Sequence, residues 1–293
     1  MSKYSIRELE RLSGIKAHTI RIWEKRYNVI EPSRTDTNIR YYSDEDLKKL
    51  LNIAILNRKG MRISDIANMK EKELAKKVME FSYNSRDVES QIEQMVIAMV
   101  DLDESKFNQL LNTAIMHDGF EKAIINIIFP FFEKIGILWQ TNSINPAQEH
   151  FVSNLFRQKL MVAIDNLMIP DKEGAKKFVL FLPENEFHEL GLLFYNYLIK
   201  KAGHSVIYLG TSVPVEDLEM TVKKIKPDYL FTAITAALDG EELEKYIKDL
   251  SIKFESQKVF VAGMKMYHNS FSLPENVEQV NSPFEFSQEL NRI

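Results

Sequence analysis

The sequence predicts a multidomain α and α/β chain. A winged helix-turn-helix comes first, a four-helix bundle second and a doubly wound parallel sheet last. Three observations carry this order. Short amphipathic helices at the start are followed by an arginine-rich segment broken by Pro32. The stretch 87–167 is almost entirely helical in pattern. From Lys176 onward, short apolar runs alternate with amphipathic segments, which is how parallel strands joined by helices read. The predicted domains are 1–75, 86–170 and 175–293.

Charge divides the 293 residues unevenly. The chain carries a net −4, yet residues 1–75 hold 16 Lys and Arg against 11 Asp and Glu, leaving −9 for the remainder. A basic head on an acidic body predicts that the head alone meets a polyanion. With no cysteine, disulfides, thiolate metal sites and cysteine nucleophiles are excluded. The start lacks an apolar signal core, and no stretch approaches the ~20 apolar residues of a membrane span. A cytoplasmic protein that does not enter a membrane is expected.

In the head, Ser5 and Glu8 have the spacing of a capping box opening a helix to Ser13. Ile6, Leu9 and Leu12 form its apolar face, and Gly14 ends it. A second helix is expected from Lys16 to Tyr27. Two short helices joined at a glycine form a helix-turn-helix. The outward face of the second helix would carry Thr19, Arg21 and Arg26, groups suited to phosphates and guanine edges. Glu31 to Tyr42 reads as a hairpin turning near Asp36–Asn38, with Arg34 and Arg40 flanking the turn. Ser43 caps a helix to about Arg58, with Asp44, Glu45 and Asp46 in its first turn.

The run YSIRELERLSGIKAHTIRIWEKRY, with RTDTNIRYYSDEDLKKL after it, resembles the winged-helix domain of MerR-family regulators over residues 3 to about 70. The resemblance implies a dimer bound to double-stranded operator DNA. The second helix (Thr19, Arg21, Trp23, Arg26) and the wing (Arg34, Arg40, Tyr41) would lie against the duplex. Trp23, Tyr27 and Tyr42 also admit a reading as core residues.

Four helices are expected at 87–101, 104–116, 118–139 and 146–167, with a linker near Ser82–Arg86. The last opens on Asn145 as N-cap, Pro146 at the first helical position and Gln148 at the third. Trp139 precedes Glu149 and His150 by a short connection, so an aromatic, a carboxylate and an imidazole can converge there.

The strands expected in the last third are KKFVLFLP, HSVIYLG, PDYLFTAIT, QKVFVAG and VEQVN. Open parallel sheets bind ligands beyond the carboxyl ends of their strands. The loop after the first strand places Glu186 two residues before His188, a spacing that lets the carboxylate fix the imidazole tautomer.

Glu186-x-His188-x-x-Gly191 resembles the Asp-x-His-x-x-Gly motif of flavodoxin-like cobalamin-binding Rossmann domains, in which the histidine coordinates cobalt from below. Thr232-Ala233-Ile234 is similar to that family's Ser-x-Leu, and Ala262-Gly263 to its Gly-Gly; both pairs line the nucleotide-tail channel in the family. The resemblance implies that Trp139, Glu149 and His150 cap the corrin. Taken whole, the chain resembles the CarH/LitR-type photoreceptor repressors, which use adenosylcobalamin. It departs from them at Ala262, at Thr232, and at Gln140, where light-sensing members carry a histidine. The resemblance implies a DNA-binding transcriptional repressor, not an enzyme, controlled by cobalamin bound between the helical bundle and the Rossmann domain, with the adenosyl form and light as the expected signal, and assembling as a dimer or tetramer. The alternative is a MerR-type regulator whose degenerate domain binds another ligand or a protein antagonist without cobalt. RNA polymerase is a further expected partner.

Overall fold

The computed structural model describes residues 3–35, 37–83, 87–140, 144–169, 172–267 and 271–293. The chain divides into two compact units, Met1–Leu155 and Phe156–Ile293.

The first unit opens with α1 (Ile6–Ser13) and α2 (Ala17–Tyr27). The Ser5–Glu8 capping box forms, and Gly14 closes α1 in the left-handed region at φ 69°. β1 (Ser33–Arg34) and β2 (Arg40–Tyr41) form the wing, with Arg34 opposite Arg40. Tyr4 adds a bridge to Tyr42 through two backbone hydrogen bonds of 2.9 and 2.8 Å, so the chain start braces the wing. α3 (Asp44–Arg58) begins at a second capping box, Ser43 with Asp46, and its last turn precedes Gly60 at φ 90°. α4 (Ile63–Ala67) and α5 (Glu71–Tyr83) follow. Leu74 and Val78, one turn apart, bury α5 on its apolar side, and it packs on α3.

The bundle comprises α6 (Val88–Val100), α7 (Glu104–Asp118), α8 (Phe120–Ala123), α9 (Phe129–Gln140) and α10 (Pro146–Asp165). A π-turn, Ile124–Ile128, joins α8 to α9 just before Pro130. Proline has no N–H to donate and crowds the preceding turn, and the wider turn accommodates both facts. Asn145 caps α10 as expected: its side chain accepts from the Ala147 N–H at 2.9 Å, while Gln148 returns a bond to the Asn145 N–H.

Head and bundle pack together along α3 and α6 inside the first unit. Most of α6 is buried and apolar, and the polar residues buried with it are Ser90, Glu93 and Gln94. These polar groups meet α3: Arg58 donates to Glu93 and Ser90, and Gln94 donates to Asn52 at 3.3 Å. At the end of α6, Lys48 binds Asp101 at 2.7 Å.

The second unit is built on β3 (Lys177–Pro183), β4 (Ser205–Val213), β5 (Tyr229–Ala233), β6 (Lys258–Ala262) and β7 (Val277–Gln279). All neighbours are parallel and the order is β4-β3-β5-β6-β7, the flavodoxin-like arrangement. Between the strands run α11 (Leu190–Lys201), α12 (Val215–Ile225), α13 (Gly240–Lys253) and α14 (Met264–Tyr267), and α15 (Pro283–Leu290) ends the chain. Phe178, Phe231, Phe260 and Phe286 stack through one side of the sheet. Val179, Leu230, Val259 and Val261 fill the other, against Leu218 and Ile247. β4 continues past Gly210, where the sequence signal ends. Gly210 at φ 84° and Ser212 at φ 51° accommodate register shifts against β3 that carry the strand to Val213.

Candidate cofactor site and DNA-contact surface

The chain turns from one side of the sheet to the other at β3: β4 flanks it on one side and β5 on the other. The loop after β3 therefore stands at the switch point, and it carries Glu186 and His188. Glu186 is 1% exposed and fully engaged. Its Oε2 accepts from the backbone N–H groups of Thr235, Ala236 and Ala237 at 2.9, 2.7 and 3.1 Å. Its Oε1 accepts from the N–H groups of Phe187 and His188 and from His188 Nδ1 at 2.6 Å. Burial alone would raise this carboxyl. The His188 bond and the three amides after β5 outweigh it and hold the group well below the usual carboxylate range. An ionised Glu186 takes the Nδ1 proton as acceptor, so in neutral His188 the lone pair is on Nε2. The ring is 62% exposed while its anchor is buried.

The neighbouring positions have separable reasons. Thr232, near the end of β5, is fully buried, and its Oγ1 has no hydrogen-bond partner. A side chain on Gly191 would meet nothing within 4 Å, so packing within the protein does not require glycine there. Gly263 is the opposite case: a Cβ would come 2.3 Å from the Ile234 carbonyl oxygen, and φ is 109°. Ile234 and Ala262 are buried beside it, and the Ile234 N–H donates to the Ala262 carbonyl at 2.9 Å. Gly263 thus serves the approach of the two loops.

Glu149 and His150 lie in the first turn of α10, with His150 Nδ1 3.0 Å from Glu149 Oε2. Trp139 falls in α9; its side chain lies outside the described residues, as do those of Gln140 and Tyr83 and all of Asp36 and 84–86.

Several groups were not legible in the sequence. Glu189 is held by Arg157 and Tyr208, which lie 32 and 19 residues away. The amides of 235–237 carry no side-chain signal. Exposed Phe187 and Met264 add apolar surface at the ends of β3 and β6.

On the head, Arg21, Arg26 and Arg34 are exposed, and Thr19 and Tyr41 are half-buried. Arg34 donates to the Asn38 side chain at 2.6 Å, bracing the turn. Arg40 lies 3.7 Å from Glu24 of α2, which also accepts from the Tyr42 hydroxyl. The wing is thereby tied to the second helix. Arg26 stands over the Tyr27 ring, and Lys3 over that of Tyr41. Trp23, at 8% exposure, and Tyr42 are both buried in the head. Among the described residues, no helix is long and apolar enough to cross a membrane.

Comparison with known proteins agrees with this anatomy. Residues 4–73 match the model of the MerR HTH family regulatory proteins, and residues 91–163 that of the B12 binding domain. The HTH-type transcriptional repressor CarH of Myxococcus xanthus is 29% identical over 249 residues, covering 82% of each chain. CarA of the same organism, also an HTH-type transcriptional repressor, is 26% identical over 88% of this chain and 86% of its own. The monomethylamine corrinoid protein of Methanosarcina barkeri shares the fold over 67% of this chain and 94% of its own, with a TM-score of 0.52 at 15% identity. The chain is thus similar to the HTH-type transcriptional repressors CarH and CarA over most of its length, with a match to the MerR HTH model at its start and to the B12 binding domain model in its middle.

Proposed function

We propose that the protein represses transcription under the control of cobalamin, in its adenosyl form, with His188 as the lower cobalt ligand. The observation that carries this reading is the Glu186–His188 pair at the switch point. A carboxylate fixed by backbone amides holds one ring nitrogen and presents the other as a metal donor. A centre built only from protein ligands needs several donors together. Among the described residues no group of three or more such side chains occurs, whereas a cobalt carried in a corrin needs only one.

The residues fit such a group. The unpartnered Thr232 hydroxyl offers a buried hydrogen bond, and the space at Gly191 is open. Phe187 and Met264 supply apolar surface for a large ring. Ala262 takes the place of a glycine in the resembling motif, with its methyl buried. Trp139, Glu149 and His150 are assigned to the ligand's upper face on the resemblance alone. When bound, adenosylcobalamin supplies a cobalt–carbon bond that light can cleave. Arg21, Arg26, Arg34 and Arg40 contact the operator, and assembly into a dimer or tetramer brings several heads onto it with gain in avidity.

Two measurements test this. Protein mixed with adenosylcobalamin in the dark should give a bound-cofactor spectrum that shifts in His188→Ala. Operator affinity and elution volume should both change after green light. No uptake of the cofactor would leave a regulator answering to another ligand or a protein antagonist. Uptake with no response to light would leave a sensor of cobalamin level.

A further inference from the structure

The loop that carries His188 is fastened at a second carboxylate, one residue on. Glu189 stands at the N-terminal end of α11 and is 17% exposed. Its Oε1 accepts from Arg157 Nε at 2.9 Å, and its Oε2 accepts from the Tyr208 hydroxyl at 3.0 Å. Arg157 belongs to the part of α10 that lies in the second unit, and Tyr208 to β4, the edge strand beside β3. Burial, and then the Glu189 charge, push the Tyr208 phenol up, so it remains a donor.

The two glutamates fasten the loop in opposite directions. Glu186 ties it to the amides after β5, and Glu189 ties it to β4 and α10. A third tie lies between them and β4: the Ser212 N–H donates to the Glu186 carbonyl at 3.1 Å, and the Ser212 hydroxyl accepts from Asn185. His188 is left with a ring that projects outward from a backbone held on both sides. Glu186 alone fixes which ring nitrogen bears the proton. Through the same oxygen it accepts from the His188 N–H at 3.1 Å and so holds the His188 backbone on one side, while Glu189 holds it from the other. A metal donor must be placed to a few tenths of an ångström to hold a bond, and that placement comes from groups that do not touch the metal.

We propose that Arg157, Glu189 and Tyr208 form a positioning clamp that sets the His188 imidazole for axial ligation of a corrin-bound metal. The clamp also links α10 directly to the ligating loop. This rests on the reading of His188 as the lower ligand.

The test uses the full-length protein with cobalamin reduced to the paramagnetic cobalt(II) form. Nitrogen hyperfine splitting from the axial ligand is read by electron paramagnetic resonance, with and without ¹⁵N-histidine labelling. The label moves the splitting only when a histidine is bound. Wild type should show the label. Glu189→Gln and Tyr208→Phe, which keep shape and remove one bond each, should show a mixture of histidine-bound and histidine-free species. Their cobalamin should leave about 10–100-fold faster, the usual scale for groups that orient a ligand. Arg157→Leu should behave likewise, and Arg157→Lys should recover part of the loss. Circular dichroism of each apo variant guards against a merely unfolded loop. Full labelling and unchanged release in both Glu189→Gln and Tyr208→Phe would overturn the clamp. A wild type that binds cobalamin without the histidine label would instead overturn the role of His188.

Discussion

Arg58 of α3 donates to Glu93 of α6 at 3.0 Å through Nη1 and again through Nη2, and the Glu93 side chain has none of its surface exposed. This pair sits where the DNA-contacting head meets the bundle. Burial raises the Glu93 carboxyl, Arg58 lowers it, and the balance puts it at about 7. Removing one partner of a buried pair leaves a charge without compensation, at a cost of about 3–5 kcal/mol. Arg58→Ala is therefore expected to destabilise the first unit by that order. The double variant Arg58→Met/Glu93→Leu should lose little or nothing, since an apolar pair of similar volume also fills the seam. Both tryptophans of the chain, Trp23 and Trp139, lie in the first unit, so urea unfolding followed by tryptophan fluorescence reads it selectively. A double variant as unstable as the single one would show that the pair does more than fill space.

The head should bind duplex DNA through the arginines that stay exposed when it is docked on α6. An arginine that reads a base edge contributes about 1–3 kcal/mol, and one on a phosphate lowers the salt slope by about one. Arg21→Ala/Arg40→Ala is expected to weaken operator binding at least tenfold, measured by anisotropy over a range of salt. Trp23→Phe should act through folding of the head, because the indole is buried. Unchanged affinity in the arginine double variant would place the contact surface elsewhere on the head.

The difference between Trp23 and Arg21 shows what a sequence can and cannot carry. Helical periodicity puts both on α2, yet an aromatic beside arginines reads equally as a stacking group and as core. The five strands were legible because each is a short apolar run with turn residues around it. Glu186 and His188 were legible because they interact across two residues. Glu189 was not, because its partners come from α10 and β4, and long-range pairing leaves no local pattern. The amide cradle of Thr235, Ala236 and Ala237 has no side-chain signature at all. The extension of β4 was hidden by Ser212, which adopts a positive φ that the sequence does not advertise.

The second unit should weaken in acid at His204. This ring is 1% exposed; its Nδ1 accepts the Lys176 N–H at 3.1 Å and its Nε2 donates to the Leu290 carbonyl at 2.9 Å. Lys172 Nζ is also 2.9 Å from Nε2 and binds the carbonyls of Leu290 and Ile293. Burial, and then Lys172 and Lys176, lower the His204 pKa below its ordinary 6.5; the Leu290 bond and Asp228 oppose them. The unfolded chain therefore binds the proton more tightly. The stability held by neutral His204 is complete above about pH 6.5 and is lost as pH falls below it. Melting of the wild type should decline through that window, and His204→Asn, which has no ring to charge, should decline less. Parallel curves for the two proteins would assign the acid sensitivity to another group.

Two glycines near the candidate site should respond in opposite ways to the same added methyl. At Gly263 a Cβ would stand 2.3 Å from the Ile234 carbonyl oxygen and 2.7 Å from its nitrogen, on a backbone at φ 109°. Neither backbone atom can step aside without breaking the bond from the Ile234 N–H to Ala262. Gly263→Ala is expected to cost about 1–3 kcal/mol from backbone strain alone and to speed hydrogen exchange in β5 and β6. At Gly191 the same methyl meets nothing within 4 Å, and the residue sits in the first turn of α11. Alanine there should leave the apo protein as stable as before, or up to ~1 kcal/mol more stable, because it restricts the unfolded chain. If the space over Gly191 belongs to the corrin, Gly191→Leu should fold normally yet take up cobalamin poorly. A Gly191→Leu protein that binds cobalamin like the wild type would move the ring away from α11.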